Sequence, residues 1–580
     1  MLFLKMCGIV GMVRERPFSV SDILAALKRL EYRGYDSWGI ATADGVLQKG
    51  IGTMPSAFAQ EASAKAAIAH TRWATHGGVT VANAHPHADC SGSLLVVHNG
   101  ILENYKELKE SLERIGHAFK SQTDTEVIAH FFEEKMKQGE TIEESVPEFL
   151  KIAQGTFAIL LMKKGGDRIY ALKRDSPLAI GQLADGFVIA SDIYAFSSMT
   201  DQAVWFENDE WAVITAGGCA FFDAQGRHTK KAWTSFIWPE VPAQVEYEHF
   251  MLKEIHDVPA AAKRLLMSLQ GEQKGRMQKL MSMVSKARRT IFVASGTSYH
   301  ASLLGVYFLS KAGIEAQTII ASEFKDYTFL DKRTLVIAIS QSGETMDVIE
   351  ALKIARGRGA KIASIVNVPY STVQRMSDLS LEILAGQEVC VAATKSFVSQ
   401  SLLLLALAEE LGCKINGGVR AVAKDLEQVF AAEERIKQLA HELKDAHDIY
   451  ILGRGLAYPI SREIALKLKE ISYIHAEGMM GGELKHGTLA LIEPGVPVIG
   501  LVDNHEILSN LKEVEARGGN VVVLSDRPTE FPGIQLATSS NVSFALAATV
   551  AGQLLTYYIA KEKGLPIDKP RNLAKSVTVK

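Results

Sequence analysis

The second half of this 580-residue chain carries a diverged internal repeat, and that repeat constrains the fold more than any other feature. Ile291-Phe292-Val293-Ala294-Ser295-Gly296-Thr297-Ser298 realigns with Ile449-Tyr450-Ile451-Leu452-Gly453-Arg454-Gly455-Leu456 at an offset of 158 residues. Arg358-Gly359-Ala360-Lys361 realigns with Arg517-Gly518-Gly519-Asn520 at 159, and Val336 to Ser340 with Val498 to Val502 at 162. Three blocks in one order at nearly one offset require two copies of a strand–loop–helix domain. Short apolar runs alternate there with long helical patterns, so successive strands return through helices and form parallel α/β sheets. The copies differ after one strand: Ser340-Gln341-Ser342-Gly343-Glu344-Thr345 in the first stands against Asp503-Asn504-His505-Glu506 in the second. Only the first is equipped for an anion.

The first 240 or so residues have a different texture. Apolar runs such as Ala67 to His70, Leu94 to His98 and Phe157 to Met162 are bounded by Gly, Asp and Asn, with helices expected near 20–31, 104–115 and 125–138. Grouped strands with segregated helices imply a layered α+β domain. Pro239, Pro242 and Pro259, in a stretch without clear period, read as a linker. The expected boundaries are 7–225, a linker at 226–265, then 266–415 and 416–580, in keeping with roughly three domains for this length.

Composition excludes several classes. Hydrophobic content of 47% and charged content of 22% describe an ordinary soluble globular protein. A net charge of −3 supplies no field for nucleic acid or an anionic membrane. Cys7, Cys90, Cys219, Cys390 and Cys413 are odd in number and lack CxxC spacing, so they read as reduced cytosolic thiols, with neither a disulfide framework nor a zinc site. Lys5 breaks the apolar start and no A-x-A site follows, so a signal peptide is not expected. Ser543 to Ala560, interrupted by Gln553 and Thr556, reads as a buried helix and not a membrane span.

Cys7 follows an internal methionine in Met6-Cys7-Gly8-Ile9-Val10-Gly11. A chain begun at Met6 and trimmed of it would start at Cys7, with the thiol beside its own α-amine. Reference pKa values are about 8.5 for a thiol and about 7.7 to 8 for an α-amine. The amine can therefore take the thiol proton near neutral pH, giving nucleophile and base in one residue. Met1 to Lys5 stand in front of it, and a peptide bond there destroys the base. Either translation begins at Met6, or the segment is removed, or this nucleophile is dead.

Other residues gather chemistry by type and spacing. Hydroxyls and N–H groups of Ser340 to Thr345, between an apolar strand and a helix, suit a phosphate, and Ser295 to Ser298 offer more of the same. Either alone reads as a cap or turn; together, at strand carboxyl ends of one sheet, they favour a phosphate site. Glu463, Lys467 and Glu470 share a helix face beside Ile464, Leu468 and Ile471, which for an isolated helix means a solvated ion pair. His486, in the glycine-flanked Gly481 to Gly487, could join them in proton transfer. Lys575 by composition is a solvated tail residue. In the first domain Arg72-Trp73-Ala74-Thr75-His76-Gly77 and His98-Asn99-Gly100 each end a strand. Arg72 suits a carboxylate. Asn99-Gly100 suits either a hairpin turn or an oxyanion hole, and Asp124 either a helix cap or a substrate ammonium.

In their order and spacing these stretches, with Leu30 to Ser37, Thr123 to Glu126, Lys467 to Ser472 and Pro570 to Val579, resemble the glutamine–fructose-6-phosphate aminotransferase (isomerizing) family, the glucosamine-6-phosphate synthases, over almost the whole chain. The resemblance implies an αββα N-terminal-nucleophile glutaminase domain (class II amidotransferase) followed by two sugar-isomerase domains with a catalytic C-terminal tail. Cys7 would attack glutamine, Asn99 and Gly100 would hold the oxyanion, Arg72 the α-carboxylate and Asp124 the α-amine. Arg33, Trp73, Thr75 and His76 would line the substrate site, with Trp73 gating ammonia on its way to the isomerase. Thr297, Ser298, Ser340, Gln341, Ser342 and Thr345 would hold the phosphate of fructose 6-phosphate. Lys575 would form a Schiff base at C2, and Glu470, with Lys467 nearby, would move the proton between C1 and C2. His486 from a neighbouring subunit would assist ring opening, so the resemblance implies a cytoplasmic homodimer. It implies no metal, no organic cofactor, no nucleic acid and no membrane.

Four positions depart from that pattern, the first being Lys580, which stands where an acidic residue is common. Ala393 stands where a sugar-contacting serine is expected, Thr488 replaces a proline, and Ser295 a cysteine. The missing hydroxyl at Ala393 leaves room for a glutaminase–isomerase acting on another ketose phosphate. A non-catalytic sugar-phosphate sensor is the reading of another class, and retention of Glu470, His486 and Lys575 argues against it. A phosphoribosyl-transferring amidotransferase is disfavoured, because no acidic-pair diphosphate loop is visible.

Overall fold

The computed structural model describes residues 7–31, 33–55, 62–74, 76–237, 247–327 and 329–576. They form two compact units, one holding the chain up to Glu240 together with Ser576 onwards, the other Val241–Lys575.

In the first unit two antiparallel sheets pack face to face. Gly8–Ser19 lies at the middle of an eight-stranded sheet, antiparallel to Ser63–Arg72 and Gly186–Ala190. Leu94–Leu102, Gly155–Lys163, Arg168–Arg174 and Glu210–Thr215 run side by side in a seven-stranded one. Side chains alternate across each strand. Ile9, Val13 and Ile68 therefore meet Val97, Leu160 and Ile169 between the sheets. Leu94, Val96, Ile159 and Leu161 face outward onto the helices Glu126–Lys137 and Ile142–Ile152. On the opposite side the helix Val20–Lys28 buries Ile23, Leu24 and Leu27. This is the αββα arrangement. The three expected helices appear as Val20–Lys28, Tyr105–Arg114 and Glu126–Lys137. A fourth, Ile142–Ile152, was not expected; it starts from a capping box of Thr141 and Glu144.

One expectation about this unit is corrected. Asn99-Gly100 does not end a strand, because Leu94–Leu102 runs through it, with Asn99 opposite Ala158 and Gly100 opposite Phe157. Gly100 has φ of 126°, and a Cβ there would lie 2.0 Å from the Thr156 carbonyl oxygen, so only glycine lets the ladder continue.

The second unit contains two five-stranded parallel sheets. The first runs Ala316–Ile320, Arg289–Ala294, Thr334–Ser340, Lys361–Val366, Leu379–Glu382. The second runs His475–Met480, Asp448–Gly453, Pro497–Val502, Asn520–Ser525, Gly533–Gln535. Both follow the order 2-1-3-4-5, which is the repeat in structural form. In such sheets the ligand crevice opens where the order reverses, between the first and third strands.

Much of the stretch at 226–265 is ordered structure. His228–Thr229 and Thr234–Ser235 are edge strands of the first unit. The helices Phe250–His256 and Val258–Gln270 place Met251, Ile255, Val258, Ala262 and Leu265 in the second unit's core. Pro259 sits in a helix's first turn, where a missing N–H is harmless; Pro239 and Pro242 lie outside the described residues. Asn541–Glu562 is the one helix among the described residues long and apolar enough to cross a membrane, and its apolar window is wholly buried. It packs on Glu433–Leu443 and Ala457–Lys467 as a core helix.

Candidate functional sites

Cys7 immediately precedes the central strand of the first unit, and the pairing of Gly8 with Thr71 brings it to the end of Ser63–Arg72. Its Sγ accepts from the Trp73 N–H at 3.3 Å and lies 3.6 Å from the Trp73 carbonyl. Asn99 is fully buried; its Nδ2 donates to the Cys7 carbonyl at 2.8 Å, and its Oδ1 has no hydrogen-bond partner. Burial pushes the Cys7 thiol up to about 11, against the opposing pull of the Trp73 N–H and the Arg72 charge. At pH 7 such a thiol is ionised in about one molecule in ten thousand. A separate base is needed.

The remaining first-unit residues surround this pair unequally. The buried Arg72 guanidinium donates to the carbonyls of His76 at 2.5 Å, Gly77 at 3.3 Å and Gly78 at 3.2 Å, so it holds a loop. Asp124 does not cap the helix that follows it; its Oδ2 accepts from the Leu102 N–H at 2.8 Å. Arg33 pairs with Asp192 at 2.6 Å, Trp73 meets Tyr35 edge-on at 5.4 Å, and His76 meets Tyr105 edge-on at 5.2 Å. Thr75 lies outside the described residues. A layer of buried histidines, His70, His85, His87 and His98, was not foreseen. Burial lowers all four, so they are neutral props, and His85 Nδ1 accepts the His98 N–H at 3.3 Å behind Asn99.

In the second unit the helices Gly296–Lys311 and Met346–Gly357 start at the carboxyl ends of the adjacent strands Arg289–Ala294 and Thr334–Ser340, at the point of order reversal. Ser340 Oγ accepts the Gly343 N–H at 3.0 Å and lies 3.1 Å from Thr345 Oγ1; Ser342 Oγ accepts the Glu344 N–H at 3.2 Å. Gln400 donates to Ser298 Oγ at 3.0 Å. In the second sheet the matching loops carry an Arg454–Glu506 pair at 3.0 Å and Asp503, which burial raises to about 6. Those loops carry carboxylates where the first sheet carries hydroxyls.

The expectation of a solvated Glu–Lys pair does not hold. Glu463 is 0% and Lys467 1% exposed, because their helix is wrapped by Gly296–Lys311 and Asn541–Glu562. Lys467 Nζ lies 2.5 Å from Glu470 and 3.5 Å from Glu463, whose carboxylate also accepts from Thr297 Oγ1 at 3.0 Å and lies 2.7 Å from His300 Nδ1. The helix widens to a π turn at Leu468–Ser472, which carries Glu470. Burial raises Glu470 despite Lys467, while the two carboxylates overcome burial to raise Lys467, which stays an ammonium.

Lys575 is likewise no solvated tail residue. It pairs at 2.5 Å with Glu388, a 5% exposed carboxylate that also accepts from the N–H groups of Thr394 and Ser396 and from Ser396 Oγ. Burial pushes Glu388 up, but Lys575 and these donors bring it down to about 2. Glu388 and His300 were missed at the level of sequence, since no spacing connects them to their partners. His486 stands exposed at the end of the 3-10 turn Gly481–His486, and no hydrogen bond or ion pair joins it to Lys467, Glu470 or Lys575. An open cavity of ≈ 490 Å³ beside Gly296, His300, Arg462 and Lys469 is lined by none of the proposed catalytic side chains.

Residues 70–198 match the glutamine amidotransferase domain family, and 283–410 and 442–547 each match the SIS domain. Across 99% of the chain and 100% of each relative, it is 41% identical to the glutamine–fructose-6-phosphate aminotransferase [isomerizing] of Methanothermobacter thermautotrophicus and 39% to that of Pyrococcus horikoshii. The chain belongs to the glutamine–fructose-6-phosphate aminotransferase (isomerizing) family. It is therefore an enzyme, with an amidotransferase domain and paired sugar-isomerase domains as that family has. A relative from Pseudomonas putida is 41% identical over the same shares. Among solved structures, the C-terminal domain of glucosamine-fructose-6-phosphate aminotransferase from Francisella tularensis aligns with a TM-score of 0.52 at 32% identity, covering 56% of this chain and 99% of that one. Tagatose-6-phosphate ketose/aldose isomerase from Escherichia coli shares the fold, at 17% identity and a TM-score of 0.50, over 56% of this chain and 96% of its own.

Proposed function

We propose that this enzyme converts L-glutamine and D-fructose 6-phosphate to L-glutamate and D-glucosamine 6-phosphate, acting in the cytoplasm as a homodimer without nucleic-acid or membrane partners. The observation that carries the reading is the pair of buried lysine–carboxylate systems, Lys467 with Glu463 and Glu470 and Lys575 with Glu388, on a chain that also sets Cys7 against Asn99. Desolvating charges is costly even when they are paired, and clusters of such groups mark functional sites.

In the amidotransferase half, Cys7 passes its proton to its own α-amine, and Sγ attacks the side-chain amide carbon of glutamine. Asn99 Nδ2 turns from the Cys7 carbonyl and, with the Gly100 N–H, holds the oxyanion. The C–N bond breaks, ammonia leaves with the proton, and water hydrolyses the thioester to glutamate. Arg72 holds the α-carboxylate and Asp124 the α-amine, with Arg33, Trp73, Thr75 and His76 around them. In the isomerase half, Thr297, Ser298, Ser340, Gln341, Ser342 and Thr345 hold the phosphate at two helix N-termini. Lys575, held in place by Glu388 and giving its proton to solvent, adds to C2 and expels water; ammonia then displaces the lysine. Glu470, made a stronger base by burial, takes the C1 proton and returns it to C2, with the Lys467 ammonium beside it. His486 of the neighbouring subunit protonates the ring oxygen on opening.

Product from the full 580-residue chain decides the reading. One glucosamine 6-phosphate per glutamate supports it, with competition among ketose phosphates locating any other preference that Ala393 confers. Product from ammonia alone means that the residues before Cys7 block the first half, and no product from either source overturns the proposal. Within it, Ser342→Ala is expected to raise KM for the sugar phosphate about tenfold to a hundredfold with little change in kcat, the loss of one hydrogen bond to a charged group.

A further inference from the structure

We propose that Cys90, His117, His130 and Glu133, in the first unit, form a binding site for a zinc-class divalent cation. The four come from three segments: Cys90 follows the short strand His87–Ala88, His117 follows the helix Tyr105–Arg114, and His130 and Glu133 lie one turn apart on Glu126–Lys137. One ligand atom from each falls within 4.8 Å of all the others.

The spacings are those of a coordination shell. His117 Nδ1 and His130 Nδ1 are 3.3 Å apart; Cys90 Sγ lies 3.7 Å and 3.5 Å from them, and Glu133 Oε2 3.0 Å and 3.2 Å. A tetrahedral zinc with ordinary bond lengths requires about 3.3 Å between nitrogens, about 3.4 Å from nitrogen to oxygen and about 3.6 Å from nitrogen to sulfur. Cys, two His and a carboxylate is a zinc-type donor set, and the thiolate and carboxylate offset the cation's charge.

Outer contacts support the site. His117 Nε2 lies 3.1 Å from Glu134, so its Nδ1 faces Cys90, His130 and Glu133. His130 Nε2 lies 3.6 Å from Glu126, beyond hydrogen-bond reach. His117 Nδ1, His130 Nδ1 and Glu133 Oε2 lie within 3.3 Å of one another, and Glu133 Oε2 also accepts the Cys90 N–H at 3.1 Å. A carboxylate behind the ring, as Glu134 stands behind His117, is the usual second support of a metal-bound histidine. The other oxygen of Glu133 is taken by Lys137 at 3.0 Å. His117, His130 and Glu133 are buried, whereas Cys90 is exposed, which provides an entry path.

The site would brace the glutamine pocket from behind. Glu126 accepts the N–H groups of Lys120 and Ser121 at 2.8 Å and 2.6 Å, so His130 is one residue removed from the turn that ends in Asp124. A lone cysteine 27, 40 and 43 residues from its partners gave no sign of this in the sequence.

The experiment uses the untagged full-length enzyme, stripped with a chelator and titrated with Zn²⁺ against a chromophoric competitor. One equivalent is expected to bind, to be retained in Cys7→Ala, and to weaken about a hundredfold or more in Cys90→Ser and His130→Ala. Loading with Co²⁺ should give a thiolate-to-metal charge-transfer band that Cys90→Ser removes, a readout that survives if His130→Ala fails to fold. Zn²⁺ affinity unchanged in Cys90→Ser, or a Co²⁺ spectrum without that band, overturns the proposal.

Discussion

Cys7→Ala is expected to abolish glutamine hydrolysis, by about a thousandfold or more, as the loss of a nucleophile does, while ammonia-dependent formation of glucosamine 6-phosphate continues at its former rate. The asymmetry follows from the reading that amide cleavage is confined to the first unit and sugar chemistry to the second. Burial makes a stronger demand. A thiol pushed up to about 11 is almost entirely protonated at neutral pH, so Sγ without a neighbouring base is a poor nucleophile. Where translation begins at Met6, M6L removes that start and leaves only chains from Met1 with Cys7 amide-linked, so glutamine hydrolysis should fall as far as in Cys7→Ala. Intact mass checks the state of the N-terminus directly. Full glutamine-dependent activity in a chain whose mass still includes Met1 to Lys5 would show that another base serves Cys7.

Lys575→Arg should have the opposite pattern. Sugar amination is lost with glutamine and with ammonia, and glutamine hydrolysis persists. Arginine keeps the pairing with Glu388, so the fold is retained, but its guanidinium never deprotonates to a nucleophilic amine. Borohydride should trap fructose 6-phosphate on the unaltered enzyme at Lys575 and leave the variant unlabelled. Glu388→Gln separates position from charge: with the carboxylate held down to about 2, Glu388 is ionised throughout the working range, and its loss should move the alkaline limb of the pH–rate profile. Normal turnover by Lys575→Arg sinks the imine step.

Local pattern sufficed for the architecture. Periods of two and of three to four residues reflect backbone geometry, so the repeat translated directly into two sheets of one strand order, and Ser340 to Thr345 landed at a strand's carboxyl end. The same locality explains the buried helix at Asn541–Glu562: its apolar residues run on all faces, and Gln553 and Thr556 find partners inside the protein. Asn99-Gly100 shows the limit, because a hairpin turn and a strand interior share that dipeptide, and only the partner strand at Thr156 and Phe157 distinguishes them.

By itself, then, the sequence determined the family, the layered and parallel sheets, and the residue types available for chemistry. Tertiary structure alone decided which of those residues are buried and what each one faces. Glu388 lies 187 residues from Lys575, Glu463 lies 163 from His300, and Cys90 lies 40 from His130. Hydrogen-bond and ion-pair partners at such distances are chosen by which strand ends and helix faces meet in the packed core, and no periodicity along the chain records that.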